Sequence, residues 1–148
     1  MRLDPDCIRE ILLYVENYSG YNVDTEIKYP LKISYFSFSD TPEEPDNTPE
    51  ELDLIFRRYD EDTLFYHIDY CYKSGLIEEP QYLANYHARI PDLTPYGHEL
   101  LGQIRDDKNW GKVKAGLTAV RNYSLQAISS IATGVTNGAI TAYITSLK

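Results

Sequence analysis

Positive charge is scarce in this sequence. Fourteen Lys and Arg stand against 23 Asp and Glu over 148 residues, a net charge of −9. Non-specific attachment to DNA or anionic lipid relies on cations neutralising phosphate, so the average surface opposes both. Cysteine is scarce too. Cys7 and Cys71 form no close pair and fall within helical patterns, which fits reduced core residues of a cytoplasmic protein better than a disulfide framework. The opening "MRLDPDCIRE" lacks the apolar run of a signal peptide. Catalytic signatures are missing as well: there is no P-loop, no G-x-G-x-x-G after a strand, no H-E-x-x-H, no G-x-S-x-G and no C-x-x-C. His67, His87 and His98 lie far apart. His67, Asp69 and Cys71 alternate along one helical pattern and so splay over different faces, which argues against a metal site. No catalytic residue, metal ligand or cofactor is indicated, and the expectation is a non-enzymatic protein.

What is present is the composition of a globular domain: 43% hydrophobic and 13% aromatic residues, with 14 Tyr against 4 Phe and 1 Trp. Tyr joins apolar area to a hydroxyl and suits half-buried surfaces and interfaces. "LDPDCIREILLYVEN" reads as a helix capped by Asp4, with Pro5 in its first turn and Ile8, Ile11, Leu12 and Val15 on one face. "TEIKYPLKISYFSFS" alternates, with Ile27, Tyr29, Leu31 and Ile33 inward and Glu26, Lys28, Lys32 and Ser34 outward. That is a half-buried strand interrupted at Pro30. "DTPEEPDNTPEE", about residues 40–51, places three prolines among six carboxylates and reads as an exposed acidic loop; mimicry of nucleic-acid charge is its sharper alternative.

A short helix capped by Thr48 would turn Leu52, Ile55 and Phe56 inward. "EDTLFYHIDYCYKSG" is a stronger helix, with Asp62 as a cap, Leu64, Phe65, Ile68, Cys71 and Tyr72 on one face, and Gly75 as its stop. "LIEE" and "NYHARI" read as two short strands. Thr94 caps the next helix, with Pro95 at its first position and Leu100, Leu101 and Ile104 inward. Trp110, Val113, Leu117 and Val120 follow at helical spacing, and Ser124 caps the last segment.

Two stretches carry a resemblance. "CYKSGLIE" is a helix end, a Gly stop and the start of a strand. "LTPYGHELL" fits L-T-x-x-G-x-x-x-L, the strand-to-helix joint of bacterial winged-helix proteins, at Leu93, Thr94, Gly97 and Leu101. Together "LDPDCIREILLYVE", "YHIDYCYKSGLIE" and "DLTPYGHELLGQIRDDKNW" resemble a family of phage and prophage proteins of unknown function. The resemblance implies an α+β, winged helix-turn-helix-like fold with a small antiparallel sheet over residues 1–106. Residues 107–148 would form a C-terminal helical extension packing on the domain or on a second copy. It brings no activity with it.

In a winged helix the exposed face of the second turn helix and the wing make the contacts. Here that face offers Tyr66, Tyr70 and Lys73, and the wing offers Tyr82 and Tyr86: a Tyr-rich, charge-poor surface that suits a protein partner. The leading expectation is therefore a cytoplasmic interaction protein of phage or prophage type, binding a host or phage protein in regulation or in defence and counter-defence. The alternative is a DNA-binding transcriptional regulator using Arg57, Arg58, Lys73, His87 and Arg89, which Asp60, Glu61 and Asp62 at the helix start disfavour. The 26 residues Asn122–Leu147 carry no charge. Gln126, Asn137 and many Ser and Thr argue against a membrane span, so Leu125, Ile128, Ala132, Val135, Gly134 and Gly138 are expected to cover the domain or to build a homo-oligomer.

Overall fold

Asp4 opens the fold as its sequence requires. Its carboxylate accepts from the Asp6 and Cys7 N–H groups, and helix α1 (Pro5–Tyr18) buries Cys7, Ile8, Ile11, Leu12 and Val15 along one stripe. The computed structural model describes residues 1–34, 58–83 and 87–147. Among them the chain is α+β, with five helices and five short strands. The expected acidic loop at 40–51 and the helix capped by Thr48 lie outside the described residues.

After α1, strands β1 (Gly20–Asn22) and β2 (Ile27–Tyr29) form an antiparallel hairpin in which Tyr29 faces Gly20. A Cβ on Gly20 would collide with the Tyr29 ring, so the glycine makes room for the aromatic. Pro30 supplies no N–H, and beyond it β3 (Leu31–Ser34) joins a different sheet. This corrects the expected single strand. Leu31 and Ile33 are buried, but Ile27 and Tyr29 are exposed, because the β1–β2 hairpin stands away from the core.

Helix α2 (Glu61–Lys73) is capped by Asp60, which accepts from Thr63 N–H at 2.8 Å; the cap is not Asp62. That hydrogen bond holds the Asp60 carboxyl below its ordinary value. The helix buries Leu64, His67, Ile68 and Cys71, whereas Tyr72 is exposed. Gly75 at φ +77 ends it. Leu76 N–H reaches back to the Cys71 carbonyl and Gly75 N–H to that of Tyr72.

"LIEE" is not a strand. Ile77 makes one bridge to Leu93, and the hairpin is β4 (Gln81–Leu83) with β5 (His87–Ile90). β5 is central, giving the order β3-β5-β4.

Helix α3 (Pro95–Ile104) begins as expected, with Thr94 Oγ1 accepting from Gly97 N–H at 3.0 Å and Leu100, Leu101 and Ile104 buried. Helix α4 (Asp107–Val120) buries Trp110, Val113 and Leu117. Val120, expected inward, is exposed because the helix ends there at Arg121, in the left-handed region at φ 53. Helix α5 (Leu125–Ser146) packs its first half on α3 and α4 through Ile128 and Ala132. One apolar core thus joins all five helices to the inner face of the sheet, each fully buried Leu or Ile contributing about 1.5–3 kcal/mol.

Candidate interaction surfaces

The outward side of α2 is the first surface. Tyr66 is 43% exposed, its ring edge-on to that of His67. Lys73, one helical turn beyond Asp69, is tied to that carboxylate at 2.7 Å, and the hydrogen bond holds its ammonium above the ordinary value. Tyr82 is 48% exposed, with its ring 6.1 Å from Phe65. Burial of part of the phenol, together with the Asp69 carboxylate, pushes Tyr82 up to about 12. Tyr66, Asp69, Lys73 and Tyr82 therefore form one neighbourhood. Tyr70 plays a different part: it is half-buried, and its hydroxyl accepts from Leu125 N–H at 2.9 Å, at the start of α5. Tyr86 lies outside the described residues.

The outer face of the three-stranded sheet is the second surface. Residues directly opposite across paired strands point to the same side. Lys32, Arg89 and Gln81 thus make one row, and His87 sits beside Leu83 in the next. The inner face carries Leu31 and Ile90, then Ile33, Ala88 and Tyr82. His87 and Arg89 consequently share a mildly basic face, turned away from Tyr82, to which Lys32 and Gln81 belong. Lys32 was read only as an outward strand residue. The register that brings it beside Arg89 joins positions 57 residues apart and leaves no local signal. Arg57 lies outside the described residues. Arg58 is in another place, paired with Glu10 of α1.

That pair belongs to a charged cleft of about 510 Å³ between α1, α4 and Arg58–Tyr59. Its charges match one to one: Asp6 with Lys114 at 3.3 Å, Asp107 with Arg9 at 2.8 Å, and Glu10 with Arg58. Arg9 also donates to the Ile104 and Arg105 carbonyls at 2.8 and 2.6 Å, capping α3, while its guanidinium lies 5.6 Å from the Trp110 ring. Trp110 Nε1–H donates to Asp6 at 2.8 Å. Burial raises the Glu10 carboxyl above its ordinary value against the opposing pull of Arg58, and burial raises the Tyr59 phenol as well. Among the described residues each cation of the cleft is matched by an anion, and these pairs lock α1 to α4.

His67 is the residue that sequence reasoning undervalued. It has no exposed area, donates from Nδ1 to the Thr63 carbonyl at 2.7 Å and accepts Asp4 N–H at Nε2, 2.8 Å away. Those partners assign the neutral Nδ1–H tautomer and make His67 a brace between α2 and the start of α1. Cys7 and Cys71 are buried free thiols, Cys71 pushed up to about 12 by burial, and neither is poised as a nucleophile. Among the described residues, no group of three or more His, Cys, Asp and Glu is arranged to hold a metal.

The tail residues divide. Ile128 and Ala132 are fully buried in the chain's own core, with Leu125 and Val135 half-buried against it. Gly134 and Gly138 face open space: a Cβ added to either meets nothing within 4 Å. Among the described residues no helix is long and apolar enough to cross a membrane.

Residues 2–123 match the family described as hypothetical protein DUF2513, and the chain belongs to that family. The match ends just before α5. The chain is also similar to a protein of Haemophilus influenzae (strain Rd), described as an uncharacterised protein, with 35% identity over 82 residues, 52% of this chain and 68% of the relative. No solved structure matches the chain.

Proposed function

We propose that this DUF2513 chain is a non-enzymatic interaction protein of winged-helix type, acting in the bacterial cytoplasm in a phage or prophage setting and binding another protein through α2 and the wing. The observation that carries this reading is the chemistry of the α2 face. Tyr66 and Tyr82 stand exposed there, while Lys73, the helix's one cation, is held by Asp69. Asp60, Glu61 and Asp62 crowd the end that would approach phosphates. Aromatic, charge-poor surface of this kind suits a protein partner, and the three carboxylates repel the phosphates of nucleic acid. The sheet order β3-β5-β4, with α2 between β3 and the β4–β5 hairpin, supports the winged-helix assignment. The phage setting rests on the sequence resemblance alone.

Affinity capture from bacterial lysate with the full chain and with a Tyr66→Ala/Tyr82→Ala variant tests the surface. A defined partner should be retained by the wild type and lost by the variant, with circular dichroism unchanged. A partner that survives both substitutions removes this face from the proposal. The second reading, a DNA-binding regulator, draws on the Lys32–Arg89 row and the same sheet order. It requires duplex binding, seen by fluorescence anisotropy at low salt, that weakens steeply as salt is added.

A further inference from the structure

His67 joins two helices through a hydrogen bond that its cationic form cannot make. Among the described residues it is the one buried polar side chain, with no exposed area. Its Nδ1–H is given to the Thr63 carbonyl at 2.7 Å, and its Nε2 lone pair receives Asp4 N–H at 2.8 Å. An imidazolium carries a hydrogen on both nitrogens. At Nε2 that hydrogen would meet the Asp4 N–H, donor against donor. Turning the ring over offers no escape, because C–H groups would replace both nitrogens and both bonds would be lost.

The far end of this bond is the cap of α1. The Asp4 carboxylate accepts from Asp6 and Cys7 N–H, which holds the Asp4 backbone at φ −114 and ψ 106. Its N–H therefore keeps facing Nε2 for as long as α1 stays seated. A protonated His67 and a seated α1 start exclude each other.

The ionisable groups of the surrounding elements leave one anion for an imidazolium. On α1, Asp6 is held by Lys114 and Trp110, and Glu10 by Arg58. Asp60, at the start of α2, is engaged by Thr63 N–H. The Cys7 and Cys71 thiols and the Tyr59 phenol stay neutral, each raised by burial. Tyr66 adds a ring edge-on to the imidazole at 5.7 Å, and Arg2 is exposed. That leaves the Asp4 carboxylate, and turning it to the imidazolium removes the cap from α1. We propose that His67 is a proton-operated latch: the neutral ring holds the start of α1 on α2, and protonation below neutral pH releases it. One proton separates the two forms. Free imidazole titrates near 6.5, so each pH unit below that point raises the released-to-seated ratio up to tenfold.

Native-state hydrogen exchange of the full chain, followed by NMR from about pH 5 to 7.5, reads the latch. After correction for intrinsic exchange, the opening constants of the Asp4, Cys7 and Ile8 amides should rise by that factor as pH falls. They should also exceed those of the Leu100 and Leu101 amides in α3, which marks a local release rather than global unfolding. His67→Gln keeps an uncharged acceptor for Asp4 N–H and should lack the rise. Opening in the wild type that ignores pH, a rise that survives His67→Gln, or an α1 start that exchanges only together with α3 overturns the proposal. Should the Gln variant not fold, the ring resonances of His67 in the wild type carry the test. They should change with pH in step with the three α1 amides, and a ring that titrates while those amides stay protected overturns the proposal as well.

Discussion

Gly97→Ala gives the sharpest test of how the Gly75–Leu76 turn is joined to α3. A Cβ at this position would sit 2.0 Å from the Leu76 carbonyl oxygen, about 1 Å inside the 3.0 Å that real Cβ contacts respect. Backbone cannot swing aside as a long side chain does, so the start of α3 must retreat. That movement stretches the hydrogen bonds from Thr94 N–H to Leu76 O, 3.1 Å, and from Thr94 Oγ1–H to Gly75 O, 2.5 Å. It also loosens Leu93, Leu100 and Leu101 in the core. Overpacking costs about 1–3 kcal/mol and each weakened hydrogen bond about 1 kcal/mol, against a helix-propensity gain of at most about 1 kcal/mol. The net loss is about 2–4 kcal/mol, or roughly 4–16 °C in Tm for a chain of this size. Gly102→Ala is the internal control. It lies on the same helix, and its added Cβ meets nothing within 4 Å, so it should be neutral or stabilise by up to about 1 kcal/mol. Urea and thermal unfolding followed by circular dichroism read both. Equal stabilities for the two variants would refute close approach to Leu76 as the reason for the glycine.

Two further outcomes follow from the helix braces and the cleft. Tyr70→Phe removes the acceptor of Leu125 N–H and should cost about 0.5–1.5 kcal/mol, with faster amide exchange concentrated at the first turn of α5. Glu10 has a folded-state pKa raised above its ordinary 4.5, so folding favours its protonated form. Its favourable contribution is complete below about 4.5 and disappears as pH rises through the raised value. Stability measured against pH should show that increment in the wild type, and Glu10→Gln, compared point by point, should lack it.

The helices were legible wherever caps and apolar spacing agreed. Asp4, Thr94 and Ser124 cap the helices they were expected to cap, and the stripes Ile8–Val15 and Leu100–Ile104 are buried as their spacing requires. Errors came where burial depended on a distant neighbour. Ile27 and Tyr29 alternate like Leu31 and Ile33, yet only the second pair lies on a strand that finds β5. His67 sat on the inner face of its helix but was weighed only as a metal ligand. Its role as a brace comes from Asp4, 63 residues away.

By itself, the sequence determined the net charge of −9, the helix starts and the stop at Gly75. These follow from short-range chemistry: side chains that cap their own helix, a residue without a Cβ, and a count of ionisable groups. Tertiary structure decided the rest. It placed Lys32 beside Arg89, paired each cation of the cleft with a carboxylate, drew the Tyr70 hydroxyl to the start of α5, and buried the first half of that uncharged helix while leaving the stripe from Ile140 to Leu147 in water. Such outcomes depend on which surfaces meet across dozens of residues, and no local pattern encodes that choice.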